Sequence, residues 1–122
     1  MPDTLPGKRV LVVEDNPALA YDVDDALRDC GAYVVGPAFD LETARSFAAA
    51  MAIDGAVLDI DLCGEFVWPL AHDLMMKGVP FVFVSADSAD DLPADFQEVR
   101  HITKPARTEQ IVALVGQAIR GR

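Results

Sequence analysis

Four short apolar runs in the chain each end in a residue able to hold or transfer phosphate: Leu11-Val12-Val13 runs into Glu14-Asp15, Ala56-Val57-Leu58 into Asp59, Phe81 to Val84 into Ser85, and His101-Ile102-Thr103 into Lys104-Pro105. If the runs are strands of one open parallel sheet, their ends share a rim, and ligands of such sheets bind at that rim, at the topological switch point. Glu14, Asp15 and Asp59 gathered there repel one another unless a cation joins them, and Lys104 alone among the rim residues offsets them. Oxygen-only ligands suit Mg²⁺, which takes one or two carboxylates plus phosphate oxygens and keeps several waters. Asp59 then has the chemistry of a carboxylate nucleophile toward phosphorus, with Lys104 and the Ser85 hydroxyl holding the transferred oxygens.

The elements that must position these residues are legible in the hydrophobic pattern. Strand-like runs alternate with helical ones five times, which is the mark of a βα-repeat with a parallel sheet. Arg9 to Val13 reads as the first strand, followed by a helix with Asn16 as N-cap and Pro17 at its first position. Tyr33 to Val35 is a second strand, and Asp40 caps a helix whose inner face is Ala44, Phe47, Ala48 and Met51. Ala56 to Ile60 is the third strand, and the helix after it turns Val67, Leu70, Ala71 and Leu74 inward, with Pro69 confined to its first turn. Phe81 to Val84 is wholly apolar, as a strand covered on both faces must be. Between Asp87 and Arg100 a short, mobile fourth helix is expected, broken by Pro93 and crowded by Asp87, Asp90, Asp91 and Asp95. A brief strand near Arg100 to Thr103 then precedes a last helix capped by Thr108. The second strand end carries no chemical residue, which fits an edge position in a sheet ordered 2-1-3-4-5. The fold class expected is therefore a (βα)5 flavodoxin-like three-layer sandwich, one domain over residues 1–122 with no output domain in the sequence.

Composition narrows the function. At 122 residues and 52% hydrophobic content one core is sufficient. A net charge of −10 disfavours nucleic acid and anionic membrane as direct partners. No run approaches the roughly 18 apolar residues of a membrane span, and the first residues lack a signal pattern, so a cytoplasmic protein is expected. Cys30 and Cys63 fall at opposite ends of their elements and read as two reduced thiols. Phe66, Trp68 and Phe96 read as packing residues, and the aspartates between 87 and 95 as a solvated acidic surface.

Over essentially its whole length the sequence resembles the receiver domain of bacterial two-component response regulators, in a single-domain arrangement. The resemblance rests on Glu14-Asp15 after LVV, Asp59 in AVLDIDL, Ser85 followed by small Ala86 in FVFVSA, and Lys104-Pro105. It implies that Asp59 is the phosphoacceptor, phosphorylated from a histidine kinase or a histidine phosphotransfer protein. It further implies that Asp15 and Asp59 bind Mg²⁺ directly, Glu14 largely through water, and Asp61 through its backbone carbonyl. Asp61 and Asp87 stand where the family tunes the phosphoryl lifetime. In the family an aromatic residue three positions before the lysine turns inward with the Ser85-type hydroxyl; here that residue is His101, an imidazole that titrates near neutral pH. The face formed by the fourth helix, fifth strand and fifth helix is, by the same resemblance, where a downstream protein target or a second copy docks. Such a domain is a signalling module and not an enzyme, beyond catalysing its own phosphorylation and dephosphorylation. A second departure is the loop Asp61-Leu62-Cys63-Gly64-Glu65, which resembles that of a branch of receivers with Asn or Asp, Leu and Gly-Glu at this point.

Two enzymatic alternatives share part of the pattern. Glu14 with Asp59-x-Asp61 also resembles the Toprim fold, a Mg²⁺-dependent nucleic-acid enzyme, and DxD phosphatases use a similar nucleophile. The acidic balance opposes the first, the usual motif position and chain length oppose the second, and the Toprim pattern leaves Asp15, Ser85 and Lys104-Pro105 without a role.

Overall fold

Three near-continuous apolar runs dictate the centre of the molecule, because a segment with no polar alternation has to be covered on both faces. In the computed structural model, which describes residues 5–86 and 91–121, these runs are β1 (Arg9–Val13), β3 (Gly55–Leu58) and β6 (Phe81–Ser85). Every residue in them except Arg9 is buried. With β2 (Tyr33–Ala38) and β7 (His101–Thr103) they form a five-stranded parallel sheet in the order β2-β1-β3-β6-β7. Two further strands, β4 (Asp61–Leu62) and β5 (Glu65–Phe66), make a separate antiparallel hairpin. Apart from that hairpin, the sheet has the expected 2-1-3-4-5 order and the flavodoxin-like class.

Alternation along the central strands divides the core into two layers. Leu11, Val13, Ala56, Leu58, Phe81 and Phe83 pack with Ala44 and Ala48 of α2 (Leu41–Ala50) and Leu70, Ala71 and Leu74 of α3 (Trp68–Met76). Their neighbours Val10, Val12, Val57, Val82 and Val84 pack with Val23 and Leu27 of α1 (Pro17–Asp29) and Ile111, Val115 and Ile119 of α4 (Thr108–Arg120). The second layer is tight at Gly55, where an added Cβ would lie 2.7 Å from both Cγ1 and Cδ1 of Ile119.

Helix ends follow the side chains that can satisfy them. Asn16 Oδ1 accepts from Ala18 N at 3.0 Å at the start of α1, and Asp40 Oδ1 accepts from Thr43 N at 2.7 Å at the start of α2. Pro69 sits in the first turn of α3, where its missing N–H is not needed. In α4 the cap is Arg107 and not Thr108: the Arg107 backbone is extended, Thr108 is already helical, and the Gln110 carboxamide accepts from Arg107 N at 3.2 Å. Met51 also differs from expectation, since α2 ends at Ala50 and Met51 follows in extended backbone, 41% exposed.

The stretch expected to be a fourth helix shows no α-helix among its described residues. It carries a 3-10 turn at Ala94–Phe96, entered through extended Pro93. Proline at that point has no N–H to give a helical ladder, and the segment is held instead by Phe96, fully buried against Phe81, Phe83 and Trp68. Asp91 and Asp95 are exposed, while Asp87 and Asp90 lie outside the described residues. Strand β2 runs to Ala38, three residues beyond the expected Val35, passing through Gly36-Pro37; an edge strand tolerates proline because only one of its sides is paired. No helix among the described residues is long and apolar enough to cross a membrane.

Overpacking of a filled core typically costs about 1–3 kcal/mol. Gly55→Ala should therefore lower the unfolding free energy measured in urea by that amount, and the loss should be less than additive with Ile119→Val, which removes one of the two opposed carbons.

Candidate functional site

Backbone pairing continues past the strand ends and fixes the residues that follow. Glu14 N donates to Ala38 O at 3.0 Å, Asp59 N to Val13 O at 2.9 Å and Lys104 N to Ser85 O at 2.8 Å. Each chemical residue is thus tied to a neighbouring strand before its side chain makes any contact. The side chains then converge as the strand ends predict. One oxygen each of Glu14, Asp15 and Asp59 lies within 4.8 Å of the others. Lys104 Nζ sits 2.9 Å from Glu14 Oε1 and 3.3 Å from Asp59 Oδ2. Asp15, Asp59, Asp61, Cys63, Gly64, Ser85, Ala86 and Lys104 line one cavity of about 230 Å³.

Burial makes these charges consequential. Glu14 and Asp59 are each only 5% exposed, and Lys104 is the cation that contacts both. Burial first, then the adjacent Glu14, pushes the Asp59 carboxyl up to about 7, against a smaller opposing pull from Lys104. Burial alone would lower the Lys104 ammonium, but the Glu14 hydrogen bond and the Asp59 charge outweigh it, so its pKa is raised. Asp15 is affected by burial in the upward direction, yet hydrogen bonds from the Cys63 thiol and its acidic neighbours hold it below the ordinary carboxylate value. An excess of carboxylate over ammonium in a polar cavity with oxygen donors fits a hard divalent cation such as Mg²⁺.

Ser85 is buried at the end of β6, and its Oγ lies 3.4 Å from Nε2 of half-buried His101 on β7. The two residues singled out as a switch pair are therefore in contact. Asp61 is exposed, and its Oδ1 accepts from Gly64 N at 2.7 Å, so the side chain folds back into the hairpin turn. Asp87 lies outside the described residues.

Cys63 was not expected to take part. Its backbone N–H and its thiol both donate to Asp15 Oδ2, each at 3.2 Å. Cys63 and Gly64 form the two-residue turn of the β4–β5 hairpin with φ of 55° and 92°; positive φ at both central positions is the type I′ pattern that suits such hairpins. The sequence signal was a glycine in the second position of a two-residue gap between Leu62 and Glu65. A wider groove of about 810 Å³ runs past Leu41, Arg45, Asp73 and Met76, but Arg45 and Asp73 neutralise each other there at 2.8 Å.

No family model matches the chain, and no curated protein matches it. Solved structures do. The solution structure of SdrG from Sphingomonas melonis Fr1 is 30% identical, with TM-score 0.78 over 93% of this chain and 96% of that one. The response regulator REC domain of Erythrobacter litoralis PhyR is 24% identical, with TM-score 0.82 over 93% of this chain and 91% of that one. The response regulator PhyR from Brucella abortus is 22% identical, with TM-score 0.82 over 98% of this chain; the chain spans 50% of that protein's length. A doubly wound parallel sheet with this order and these neighbours defines a signalling domain of the flavodoxin-like class. More narrowly, the chain belongs to the receiver domains of response regulators.

An acid whose pKa is raised on folding, from 3.8 to about 7, contributes stability that is fully present below the unfolded value and is lost as pH rises through the folded one. In chelator-containing buffer the parent should therefore lose stability between those two values. Asp59→Asn should flatten that slope and be the more stable protein at pH 8, by on the order of 2 kcal/mol in urea denaturation.

Proposed function

We propose that this receiver domain is a phosphoacceptor. Asp59 takes a phosphoryl group from the phosphohistidine of a histidine kinase or a histidine phosphotransfer protein, with Mg²⁺ as cofactor. The observation that carries this reading is the position of Lys104 Nζ, within 3.3 Å of both the Asp59 and Glu14 carboxylates in a cavity that Ser85 also lines.

In the transfer, an Asp59 carboxylate oxygen forms a bond to phosphorus as the bond from phosphorus to the histidine nitrogen breaks, and that nitrogen keeps the electron pair. Such a reaction depends on positioning and charge stabilisation more than on covalent assistance. Lys104 and the Ser85 hydroxyl hold equatorial oxygens, which keeps Lys104 useful after its present carboxylate partners engage elsewhere. Mg²⁺, when bound, supplies positive charge to the acids and the phosphoryl oxygens alike; Asp15, Asp59, the Asp61 carbonyl and, largely through water, Glu14 would hold it. Because the Asp59 carboxyl is pushed up to about 7, the attacking carboxylate form gains from any cation that joins the cluster.

Output follows from the same rim. Ser85, drawn toward a phosphoryl group, pulls on its contact with His101, so β7 and α4 with the 91–99 segment form the face on which a protein target or a second copy docks. Asp61 influences phosphoryl lifetime from the cavity wall, and Asp87 is assigned the same influence from the family pattern. The Toprim alternative leaves the Lys104 and Ser85 positions unused, and the phosphatase alternative expects its DxD pair after the first strand, whereas Asp59 and Asp61 follow β3.

Incubation with acetyl phosphate and Mg²⁺ should give a labile single-phosphoryl adduct by mass spectrometry. The adduct should vanish in Asp59→Asn and in EDTA, and should form at least tenfold more slowly in Lys104→Ala, in line with loss of one charge-stabilising donor of about 10²–10³ in rate. An adduct of undiminished yield in Asp59→Asn would overturn the assignment.

A further inference from the structure

The hairpin β4–β5 contributes something that the phosphoacceptor reading does not use. Two donors of one residue, the Cys63 N–H and the Cys63 thiol, converge on the same oxygen of Asp15 at 3.2 Å. Two hydrogen bonds to one carboxylate oxygen fix both the rotation of the carboxyl and its distance from the turn. The turn is itself fastened: Gly64 N donates to Asp61 Oδ1 at 2.7 Å, and Val67 N donates to Ile60 O at 2.9 Å where the hairpin leaves the sheet. Cys63 occupies the left-handed region at φ 55°, alone among the non-glycine residues described. A side chain held there costs conformational energy that surrounding contacts must offset. Cys63 is exposed, so packing does not offset it; the two bonds to Asp15 do.

We propose that Cys63 is a positioning residue for Asp15: the hairpin turn orients that carboxylate for cation binding, acting through the acid and touching neither the cation nor the phosphoryl group. The inference rests on the proposed cation site. It extends that reading by assigning its cation affinity in part to an outer partner on a separate small sheet. Outer partners of metal ligands typically set 10–100-fold of affinity. Since the main-chain donor survives a side-chain change, the thiol alone should account for the low end of that range.

The test is Mg²⁺ titration of the whole chain by calorimetry, with four variants. Cys63→Ala removes the thiol donor without disturbing packing and should weaken Mg²⁺ binding by about tenfold. Cys63→Ser restores a donor at the same place and should bring affinity back to that of the parent, a rescue that a general loosening of the fold would not show. Gly64→Ala adds a methyl that meets nothing within 4 Å but is strained at φ 92°; it should move the main-chain donor and weaken binding while leaving the thermal midpoint within a few degrees. Asp15→Asn should abolish the binding in any case. Parent-like affinity in both Cys63→Ala and Gly64→Ala, with loss in Asp15→Asn, would overturn the positioning role and leave the cation site standing. Parent-like affinity in Asp15→Asn would overturn the site itself, and the inference with it.

Discussion

Two carboxylates buried side by side with one ammonium between them set the terms for the rest of this molecule. Glu14 and Asp59 have given up almost all contact with water, and desolvation of like charges is among the more expensive arrangements a small domain can hold. A scaffold that tolerates it needs rigid strands with strong apolar cover, and that is what surrounds the pair. The site acids follow immediately on β1 and β3, which are adjacent in the sheet and buried on both faces. The ladder of main-chain bonds runs on beyond them, into Glu14 and Asp59 themselves. Placing the acids one residue past the pairing would free their backbones; placing them one residue earlier would put a carboxylate into an apolar layer.

The two layers of the sandwich contribute unequally to this arrangement. The layer with α1 and α4 is built from small β-branched residues that close tightly, to the point that Gly55 has no room for a methyl beside Ile119. The layer with α2 and α3 is built around rings: Phe81, Phe83, Phe96 and Trp68 meet edge-on and stacked with centroids 5.5–6.1 Å apart. Phe66 of the hairpin stacks in turn on Trp68 at 6.1 Å. The ring layer therefore reaches from the hairpin that holds Asp15 to the 3-10 turn that carries Phe96, and so ties together two segments that have no α-helix of their own among the described residues.

Much of this was legible in the residues. Apolar runs without polar alternation gave the buried strands, and charged or hydroxyl residues at their ends gave the rim, because both depend on patterns of three to five neighbours. Asn16 and Asp40 were readable as caps for the same reason. What escaped depended on partners distant in sequence or on competing local choices. Thr108 has the chemistry of a cap, but an equally local rival, Gln110 reaching back to Arg107, took the position. Among the described residues after Asp90 the expected helix is absent, because the buried ring of Phe96 stabilises a tighter turn that helical periodicity does not report. Cys63 was readable as a rim thiol but not as a partner of Asp15, since the pairing spans 48 residues and depends on a two-residue hairpin no longer than its own turn.

Under the proposed function, the energetic scale of signalling can be compared with the contacts that would carry it. Coupling between distant sites in proteins is typically about 1–3 kcal/mol, and the net worth of one hydrogen bond is about 0.5–1.5 kcal/mol. The Ser85–His101 contact, at 3.4 Å near the outer limit of such bonds, lies at the weak end of that range, so its gain or loss alone would shift a balanced equilibrium only slightly. A larger response needs a second contribution that changes with it. The arrangement supplies one on the neighbouring edge: β7 is only three residues long and half exposed, paired to β6 on one side, and the segment before it packs through Leu92 and Phe96 with no α-helix among its described residues. A short edge strand next to a segment without an α-helix among its described residues resists a displacement that begins at Ser85 less than β1 and β3, which are fixed between two core layers. The asymmetry between a rigid acid pair and a lightly held hydroxyl edge is thus what would let a charge placed at Asp59 move one side of the rim and leave the other in register.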